Sequence, residues 1–219
     1  MMLEASVINS SILWNNTLEK AHTKFDSSGE SADLLNLCYA YYGIIGNCLS
    51  TNNMDLGEEY VQKAIILAEE LGEDEEYKSI AYSLQGGFKG LAIAFNPMKG
   101  MILGPESDKL IKKSIKLHET NSFAWLQKGS SEYNTPRLFG GSITKSIESF
   151  KKSIECFDSE DTDHLWLKIE AMTWLGQAYH ETKNYDKAKE VYLEVLKIAP
   201  GYQWVEDHLL IKTEKRLKS

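Results

Sequence analysis

The sequence is poor in the residues that interrupt β-structure. Only four prolines occur in 219 residues, and the fifteen glycines cluster instead of recurring every ten residues. A chain of short strands and tight turns needs such residues at regular intervals. The sequence therefore predicts long helices, and its 42% apolar content is sufficient for the buried core of a globular protein.

Basic residues and long apolar runs are also scarce. The 24 lysines and arginines are outnumbered by 32 aspartates and glutamates, which gives a net charge of -8. A surface of this sign repels phosphate backbones and anionic lipids, so no nucleic-acid partner is expected. No run of about 18 apolar residues exists, so no membrane span is predicted.

The N-terminal segment MMLEASVINSSILW has an early glutamate, no basic start and no small-residue cleavage site. We expect it not to be a signal peptide. This favours a cytoplasmic protein, or a periplasmic or cell-envelope protein if a signal peptide was removed upstream.

Cysteine is limited to three residues. Cys38 and Cys48 fall on one predicted helix, ten residues and hence roughly 15 Å apart, which is beyond disulfide reach. Cys156 then has at most one partner. We expect three buried thiols that act as small apolar residues.

A helical repeat is present near the C-terminus. Residues 169–202 read IEAMTWLGQAYHETKNYDKAKEVYLEVLKIAPGY and match the 34-residue tetratricopeptide pattern. Gly176 and Ala188 take the small positions where the two helices of a repeat cross closely, and Pro200 ends the second helix. We predict an all-α, tetratricopeptide-like α-solenoid, a right-handed superhelix of antiparallel helical hairpins with about ten helices.

The whole chain, 1–219, is predicted to be a single domain of this kind. Its predicted parts are an N-terminal helix (1–26), a degenerate hairpin (31–72), a second degenerate hairpin with a long turn (76–120), a repeat-like unit with an inserted turn (122–157), the regular repeat (169–202) and a C-terminal capping helix (203–219).

The unit before the regular repeat is stretched. Gly129 and Ser146 take its small positions but lie 17 residues apart, against 12 for Gly176 and Ala188, so five residues are inserted in the turn NTPRLFGGS. Insertions into a repeat map to loops on one face, where solenoids often bind. A second long turn, MKGMILGPES, is predicted at 98–107.

The turns FNPMKGMILGP and NTPRLFGG, with the helix ITKSIESFKKSIECF after them, resemble a subset of tetratricopeptide proteins that carry a P-x-x-F-G-G turn. That subset includes the T component of TRAP transporters, which are periplasmic lipoproteins, and related uncharacterised Bacteroidetes proteins. The resemblance covers roughly Ala81 to Phe157, and the family's lipoprotein cysteine is not found. It implies an extracytoplasmic helper that binds a small organic ligand or a partner protein.

The first helices of such repeats line a concave groove, and residues off the core stripe are predicted to face it. In the stretched unit these are Phe123, Leu126, Ser130, Tyr133 and Asn134; in the regular repeat they are Glu170, Thr173, Gln177 and His180. Such a mixed aromatic and polar surface suits a peptide or a ligand with an apolar body. The alternative is that they are solvated or inter-repeat packing residues.

The inserted turn has two interpretations. Gly140 and Gly141 would expose amides before a helix N-terminus, and together with Arg137 these would bind an anion. Alternatively, the glycines permit a tight turn, Pro136 stiffens its entry and Phe139 fills the core. The two interpretations are compatible.

No catalytic residue, cofactor or metal site is predicted. The S-x-x-K matches at Ser142 and Ser149 lack companion motifs, and FGGSITKS lacks the glycine before lysine that a phosphate-binding loop requires. His118 and His180 each precede a glutamate without the second histidine of zinc proteases. C-x-x-C is absent, and the five histidines are scattered.

No ligand is predicted for three further sequence patterns. Glu170 and Thr173 replace the lysine and asparagine that would grip a C-terminal carboxylate. The acidic segment 158–163 lacks the glycine and the twelfth-position glutamate of a calcium loop, so we interpret it as solvated. The terminal cations Lys212, Lys215, Arg216 and Lys218 suit the negative end of a helix dipole.

The predicted function is a non-catalytic scaffold that presents a groove to a peptide, a partner protein or a small ligand. The alternative is an accessory ligand-binding component of a periplasmic TRAP-type transport system. A closed pocket of a few hundred Å³ beside Tyr133 and Arg137 would favour the small ligand, and an open surface would favour a peptide. Two titratable groups within hydrogen-bond reach in a cleft would favour an enzyme.

Overall fold

The computed structural model describes residues 1–159 and 164–218, and all regular structure in those residues is helical. This confirms the all-α class. The α-helices are α1 (Met2–Ile8), α2 (Ser11–Ser28), α3 (Ser31–Ser50), α4 (Met54–Leu71), α5 (Lys78–Phe95), α6 (Gly100–Leu117), α7 (Ser122–Asn134), α8 (Ile143–Ser159), α9 (Leu165–Glu181), α10 (Tyr185–Ile198) and α11 (Ile211–Leu217).

The N-terminal segment forms two helices instead of the one expected. α1 ends at Asn9, whose φ of 50° lies in the left-handed region. The Ser10 hydroxyl then accepts a hydrogen bond from the Leu13 amide at 3.3 Å and caps α2. Asparagine tolerates the left-handed conformation and serine is a favoured cap, so these two residues account for the break.

The segment 98–107, expected as a long turn, is mostly helical. Pro97–Lys99 form a short 3-10 turn, and α6 starts at Gly100 and runs through Pro105. The Asn96 side chain starts this segment by accepting the Met98 amide at 3.2 Å. Proline removes one helical N–H donor, but Pro105 lies near the start of the helix on an exposed side, so the helix continues.

The chain divides into two compact units, of which the first is Met1–Ala124. Its core is α3, which packs against α2, α4 and α5. Thirteen residues of α3 are buried, including Tyr39, Tyr41 and Tyr42. A helix that is apolar on most of its faces needs partners on most of its sides, and α3 has them.

The three cysteines are buried, as expected. Burial raises the pKa of the Cys38 thiol to about 12, and the nearby Glu70 carboxylate adds to the shift. A thiol with so high a pKa carries almost no thiolate at neutral pH and is a poor nucleophile. Cys38 therefore acts as a small apolar core residue.

The second unit is Trp125–Ser219, of which 125–159 and 164–218 are described. In it α8 packs on α9 and α9 on α10. A β-carbon on Gly129 would lie 2.5 Å from the Phe150 ring, and one on Gly176 would lie 2.3 Å from the Tyr192 ring. These distances confirm that the small positions of the repeat mark close helix crossings.

The C-terminal helix predicted at 203–219 is present over its described residues, but its first half is a π-helix over Trp204–Leu210 that continues into α11. Val205, Leu209 and Thr213 are buried and recur every four residues. A π-helix has more residues per turn than an α-helix, which brings residues four apart closer to one line. The segment 204–210 packs against α10 through this buried line.

Two glycines of α3 provide a matched test of close packing. A β-carbon on Gly43 would lie 2.0 Å from the Trp14 ring, whereas one on Gly46 meets nothing within 4 Å. Gly43→Ala is expected to destabilise the protein by about 1–3 kcal/mol, because buried Trp14 must shift. Gly46→Ala is expected to stabilise it by about 0.5–1 kcal/mol through helix propensity.

Urea unfolding followed by circular dichroism measures both changes. The two variants add the same methyl group three residues apart on one helix, so each is the other's control. Equal effects of the two substitutions would contradict the proposed contact between Trp14 and Gly43.

Candidate functional site

The inserted turn between α7 and α8 has a backbone that is held by its own hydrogen bonds. The Phe139 amide donates to the Pro136 carbonyl at 2.9 Å, and the Gly141 amide donates to the same carbonyl at 3.2 Å. The Gly140 amide donates to the Arg137 carbonyl at 3.1 Å. Residues Arg137–Phe139 therefore form a 3-10 turn rather than an irregular loop.

Glycine is required at two places in this turn. Gly140 has a φ of 96°, in the left-handed region that other residues rarely adopt. A β-carbon on Gly141 would lie 1.7 Å from the Thr135 carbonyl oxygen, so no side chain fits there. The chain returns to the helix hairpin where the Ser142 amide donates to the Glu132 carbonyl at 2.8 Å.

The turn presents its apolar side chains to solvent. Leu138 is 88% exposed and Phe139 is 72% exposed. The interpretation that Phe139 fills the core is therefore wrong: the 3-10 turn directs the ring away from the helices. Arg137 is exposed beside them. Leu138 was not among the residues predicted from the sequence, because its spacing alone does not indicate an exposed position.

The turn does not form the anion site considered from the sequence. Such a site needs amides that point into solvent. Here the amides of Phe139, Gly140, Gly141 and Ser142 all donate to backbone carbonyls. The Ser142 hydroxyl also accepts the Lys145 amide at 3.3 Å and caps α8.

A polar cluster joins α7 to α8 behind the turn. The Lys128 ammonium donates to Glu132 at 2.6 Å and to the Ser149 hydroxyl at 2.9 Å. The Ser149 hydroxyl donates to the other Glu132 oxygen at 2.6 Å. Ser149 is only 1% exposed, so a substrate has no access to this hydroxyl. The cluster satisfies buried polar groups between two helices.

The residues predicted to line a groove on α7 differ in accessibility. Phe123 and Leu126 are fully buried, and Phe123 packs edge-on against Tyr42 with 5.1 Å between ring centroids. These two are core residues, which corrects their assignment to a groove. Ser130 and Tyr133 are half-buried, and Asn134 is exposed with its amide donating to the Ser130 carbonyl at 2.9 Å.

Tyr133 leans on α9. Its ring meets Trp174 edge-on, with 5.2 Å between centroids, and burial raises the pKa of its hydroxyl. Phe150 stacks on Trp174 as well, at 6.4 Å. Aromatic pairs of this geometry add to the energy of burial alone. Tyr133 thus helps to hold α7 on α9 while part of its surface remains open.

The α9 residues that were predicted to face the groove also differ in solvent exposure. Glu170 and Gln177 are half-buried. Thr173 is 5% exposed, and its hydroxyl donates to the Ile169 carbonyl at 2.8 Å. His180 is 8% exposed, and its Nδ1 lies 2.9 Å from the Thr213 hydroxyl. Thr173 and His180 therefore pack within the unit rather than face a groove, which corrects their prediction.

Two depressions lie near the C-terminal helix. The smaller has a volume of about 20 Å³ and is lined by Gln177, His180, Glu181, Tyr192, Leu209 and Lys212. That is space for about one water molecule. The larger is an open depression of about 530 Å³, lined by Asp207, His208, Ile211, Lys212, Lys215 and Arg216. Neither includes Tyr133 or Arg137.

The first unit carries an exposed apolar segment of its own at the start of α6. Met98 is 89% exposed, Met101 86% and Ile102 70%. In the sequence, the apolar run after Pro97 is the only indication of this surface, and it predicts a turn rather than a candidate binding segment. Lys99 beside it pairs with Glu58 at 3.2 Å.

Within the described ranges 1–159 and 164–218, no group of three or more histidine, cysteine, aspartate or glutamate side chains could hold a metal ion. No helix in this part of the chain is long and apolar enough to cross a bilayer. In the acidic segment 158–163, Asp158 pairs with Lys168, and residues 160–163 lie outside the described residues.

The sequence profile of the tetratricopeptide repeat matches residues 169–202. The chain therefore carries a tetratricopeptide repeat, with α9 and α10 as its two helices. No curated protein matches the sequence. The resemblance to the TRAP T component stays a hypothesis.

Two solved structures share the fold. The HusA haemophore from Porphyromonas gingivalis is 17% identical, with a TM-score of 0.59 over 83% of this chain and 94% of that one. The thermophilic tetratricopeptide protein TTC0263 from Thermus thermophilus is 17% identical, with a TM-score of 0.53 over 94% of this chain and all of that one, 100%. At this identity the likeness concerns the fold alone.

His180 predicts a pH dependence of stability. Burial lowers the pKa of its imidazole from the ordinary 6.5, and Lys212 and Arg216 lower it further, against an opposing effect of Glu181. Below pH 6.5 the unfolded chain binds the proton more readily than the folded one, so stability falls as the pH falls. His180→Asn keeps a polar partner for Thr213 and removes the titration.

Urea unfolding at pH 7.5 and pH 5.5 tests this. We expect the wild type to lose more stability between the two pH values than His180→Asn does. An equal loss in the two proteins would show that His180 protonates as easily in the folded state as in the unfolded state.

Proposed function

We propose that this chain is a non-catalytic binding scaffold that uses the inserted turn, residues 135–141, to dock a partner protein or peptide. The observation that carries the proposal is a fixed turn that holds Leu138 and Phe139 in solvent. The tetratricopeptide fold is in general that of a protein-binding scaffold and is typically not enzymatic.

Folding does not account for these two exposed side chains. Fully burying a leucine or phenylalanine side chain stabilises a fold by about 1.5–3 kcal/mol. Because Leu138 and Phe139 are both exposed, neither contributes that energy to folding. The repeat needs no inserted residues at this place, because α9 and α10 are joined without them. An interface that buries the two side chains would recover the energy.

The turn is also rigid in a way that favours binding. Its amides bond to its own carbonyls, and Gly140 and Gly141 permit a backbone that other residues would not. A surface that is already in its bound conformation loses little conformational entropy on association. Phenylalanine and arginine are both enriched in protein interfaces relative to the rest of the surface.

The chemistry of the turn indicates its partner. Leu138 and Phe139 favour an apolar side chain, and Arg137 next to them favours a nearby carboxylate. We therefore expect a peptide segment with an aromatic or aliphatic residue close to an acidic one. The accessible parts of Ser130, Tyr133, Asn134, Glu170 and Gln177 are proposed to contribute secondary contacts.

The alternative is an accessory ligand-binding component of a periplasmic TRAP-type transport system. It is supported by the resemblance of the two turns and by the likeness in fold to a haemophore. Against it, the smaller depression, lined in part by residues of α9 and α10, has a volume of only about 20 Å³. The open apolar turn favours the protein or peptide partner.

Peptide selection on the intact protein tests the proposal. A phage-displayed library of random peptides is selected on the wild type, and the affinity of enriched peptides is measured by fluorescence polarisation. We expect apolar and acidic peptides whose Kd rises about ten-fold or more with Leu138→Ser or Phe139→Ser, because truncating a central apolar contact costs about 1–2 kcal/mol or more.

Leu193→Ser is the matched control. Leu193 is also apolar and 41% exposed in the second unit, but it lies on α10 rather than in the turn. Its substitution should leave the Kd unchanged. Peptides that bind the Leu138 and Phe139 variants as tightly as the wild type would refute the turn as the binding surface.

One glycine substitution tests whether the fixed backbone of the turn contributes to binding. Gly141→Ala leaves Leu138 and Phe139 in place but puts a methyl group on the Thr135 carbonyl. We expect the turn to open and the selected peptides to bind several-fold more weakly, with helix content by circular dichroism unchanged. Unchanged affinity would show that the apolar side chains suffice without the fixed backbone.

A further inference from the structure

The exposed side of the C-terminal helix carries a shallow groove between two parallel rows of side chains. The open depression there is lined by two rows with a spacing of four residues: Asp207, Ile211 and Lys215 form one, and His208, Lys212 and Arg216 form the other. Rows of this spacing are the ridges by which helices interlock. The buried line Val205, Leu209 and Thr213 faces the other way, into the unit.

The charge of the first row changes from negative at one end to positive at the other. The row starts with a carboxylate at Asp207, has an apolar side chain at Ile211, which is 43% exposed, and ends with an ammonium group at Lys215. Within the part of the chain that the structure describes, neither Asp207 nor Lys215 forms an ion pair. Reversing the direction of the row exchanges the two charges and leaves Ile211 at the centre.

We infer that this face binds a second copy of the same face, antiparallel, about a two-fold axis near Ile211. The two Ile211 side chains then meet at the axis. Asp207 of each copy faces Lys215 of the other, which gives two ion pairs. An isologous contact requires a surface that is complementary to itself, and this row meets that condition.

The second row fits the same pairing. Trp204 extends it by one step and is 50% exposed, with its ring tilted over His208 at 5.0 Å. The same two-fold axis, which pairs residue 207 with residue 215, brings Trp204 of one copy opposite Lys218 of the other. A cation over the face of a tryptophan is an attractive arrangement.

The charge order favours a second copy over other partners. Along the first row, a purely acidic segment would meet Asp207 and a purely basic one would meet Lys215, so each would face a like charge at one end. A copy of this helix in antiparallel direction avoids both. In the second row, Lys212, which lies next to the axis, already pairs with Glu181 of its own chain at 3.9 Å. The protein also carries a net charge of -8, which opposes association, so a specific local complementarity is needed to overcome it.

A single helix crossing buries less surface than the interfaces of stable dimers. We therefore expect a weak, reversible dimer with a Kd in the range of about 10–500 µM. The test is sedimentation velocity of the full chain from about 5 µM to about 1 mM at low and high salt. The wild type should move from monomer to dimer with concentration, and salt should weaken the dimer.

Charge exchange makes the test specific. Asp207→Lys and Lys215→Asp should each weaken dimerisation by about ten-fold or more, because each replaces two attractive contacts with two repulsive ones. The double variant D207K/K215D restores opposite charges across the axis and should dimerise again. Rescue by the second substitution excludes misfolding as the cause of the loss.

Glu194→Lys makes the same charge change at an exposed position on α10 and should dimerise at least as well as the wild type, since it lowers the net negative charge. A wild type that stays monomeric up to about 1 mM would overturn the inference. So would a dimer that Asp207→Lys leaves unchanged, or a double variant that is no better than either single one.

Discussion

The helix crossings depend on one recurring contact, a large aromatic ring packed on a glycine. Trp14 lies on Gly43, Phe150 on Gly129 and Tyr192 on Gly176, and none of these glycines has space for a β-carbon. The ring fills the volume between two helices whose backbones approach closely on either side. Adding a methyl group would push the helices apart, because protein interiors are already close-packed.

The inserted turn depends on the second of these crossings. Phe150 on Gly129 and the cluster of Lys128, Glu132 and Ser149 join α7 to α8. The Ser142 amide then ties the end of the turn to the Glu132 carbonyl. The turn is therefore anchored at its base, and its tip can carry exposed apolar side chains without loosening the hairpin.

The two S-x-x-K matches have structural explanations. The Ser142 hydroxyl caps α8 through the Lys145 amide, and Ser149 shares its hydroxyl with Lys128 and Glu132. Three groups in mutual hydrogen-bond reach would suit a nucleophilic site if a cleft led to them. Ser149 is buried instead, so the same geometry serves to satisfy polar groups between helices.

HusA and TTC0263 share this fold at 17% identity each. A fold of stacked helical hairpins accommodates different ligands, so specificity must come from features that vary between its members. In this chain we propose that those features are the exposed turn at Leu138 and Phe139 and the face at Asp207, Ile211 and Lys215. The regular repeat at 169–202 identifies the fold and says least about the ligand.

The sequence by itself determined the helical class, the repeat at 169–202, the small residues at the crossings and the place of the five inserted residues. Periodicity and residue size suffice for these, because they depend on the chain's own local geometry. Tertiary structure alone decided that Phe123 and Leu126 are buried, that Phe139 is exposed, and that a helix runs through Pro105. Periodicity shows which residues share a face of a helix, but what covers that face depends on helices that are distant in sequence.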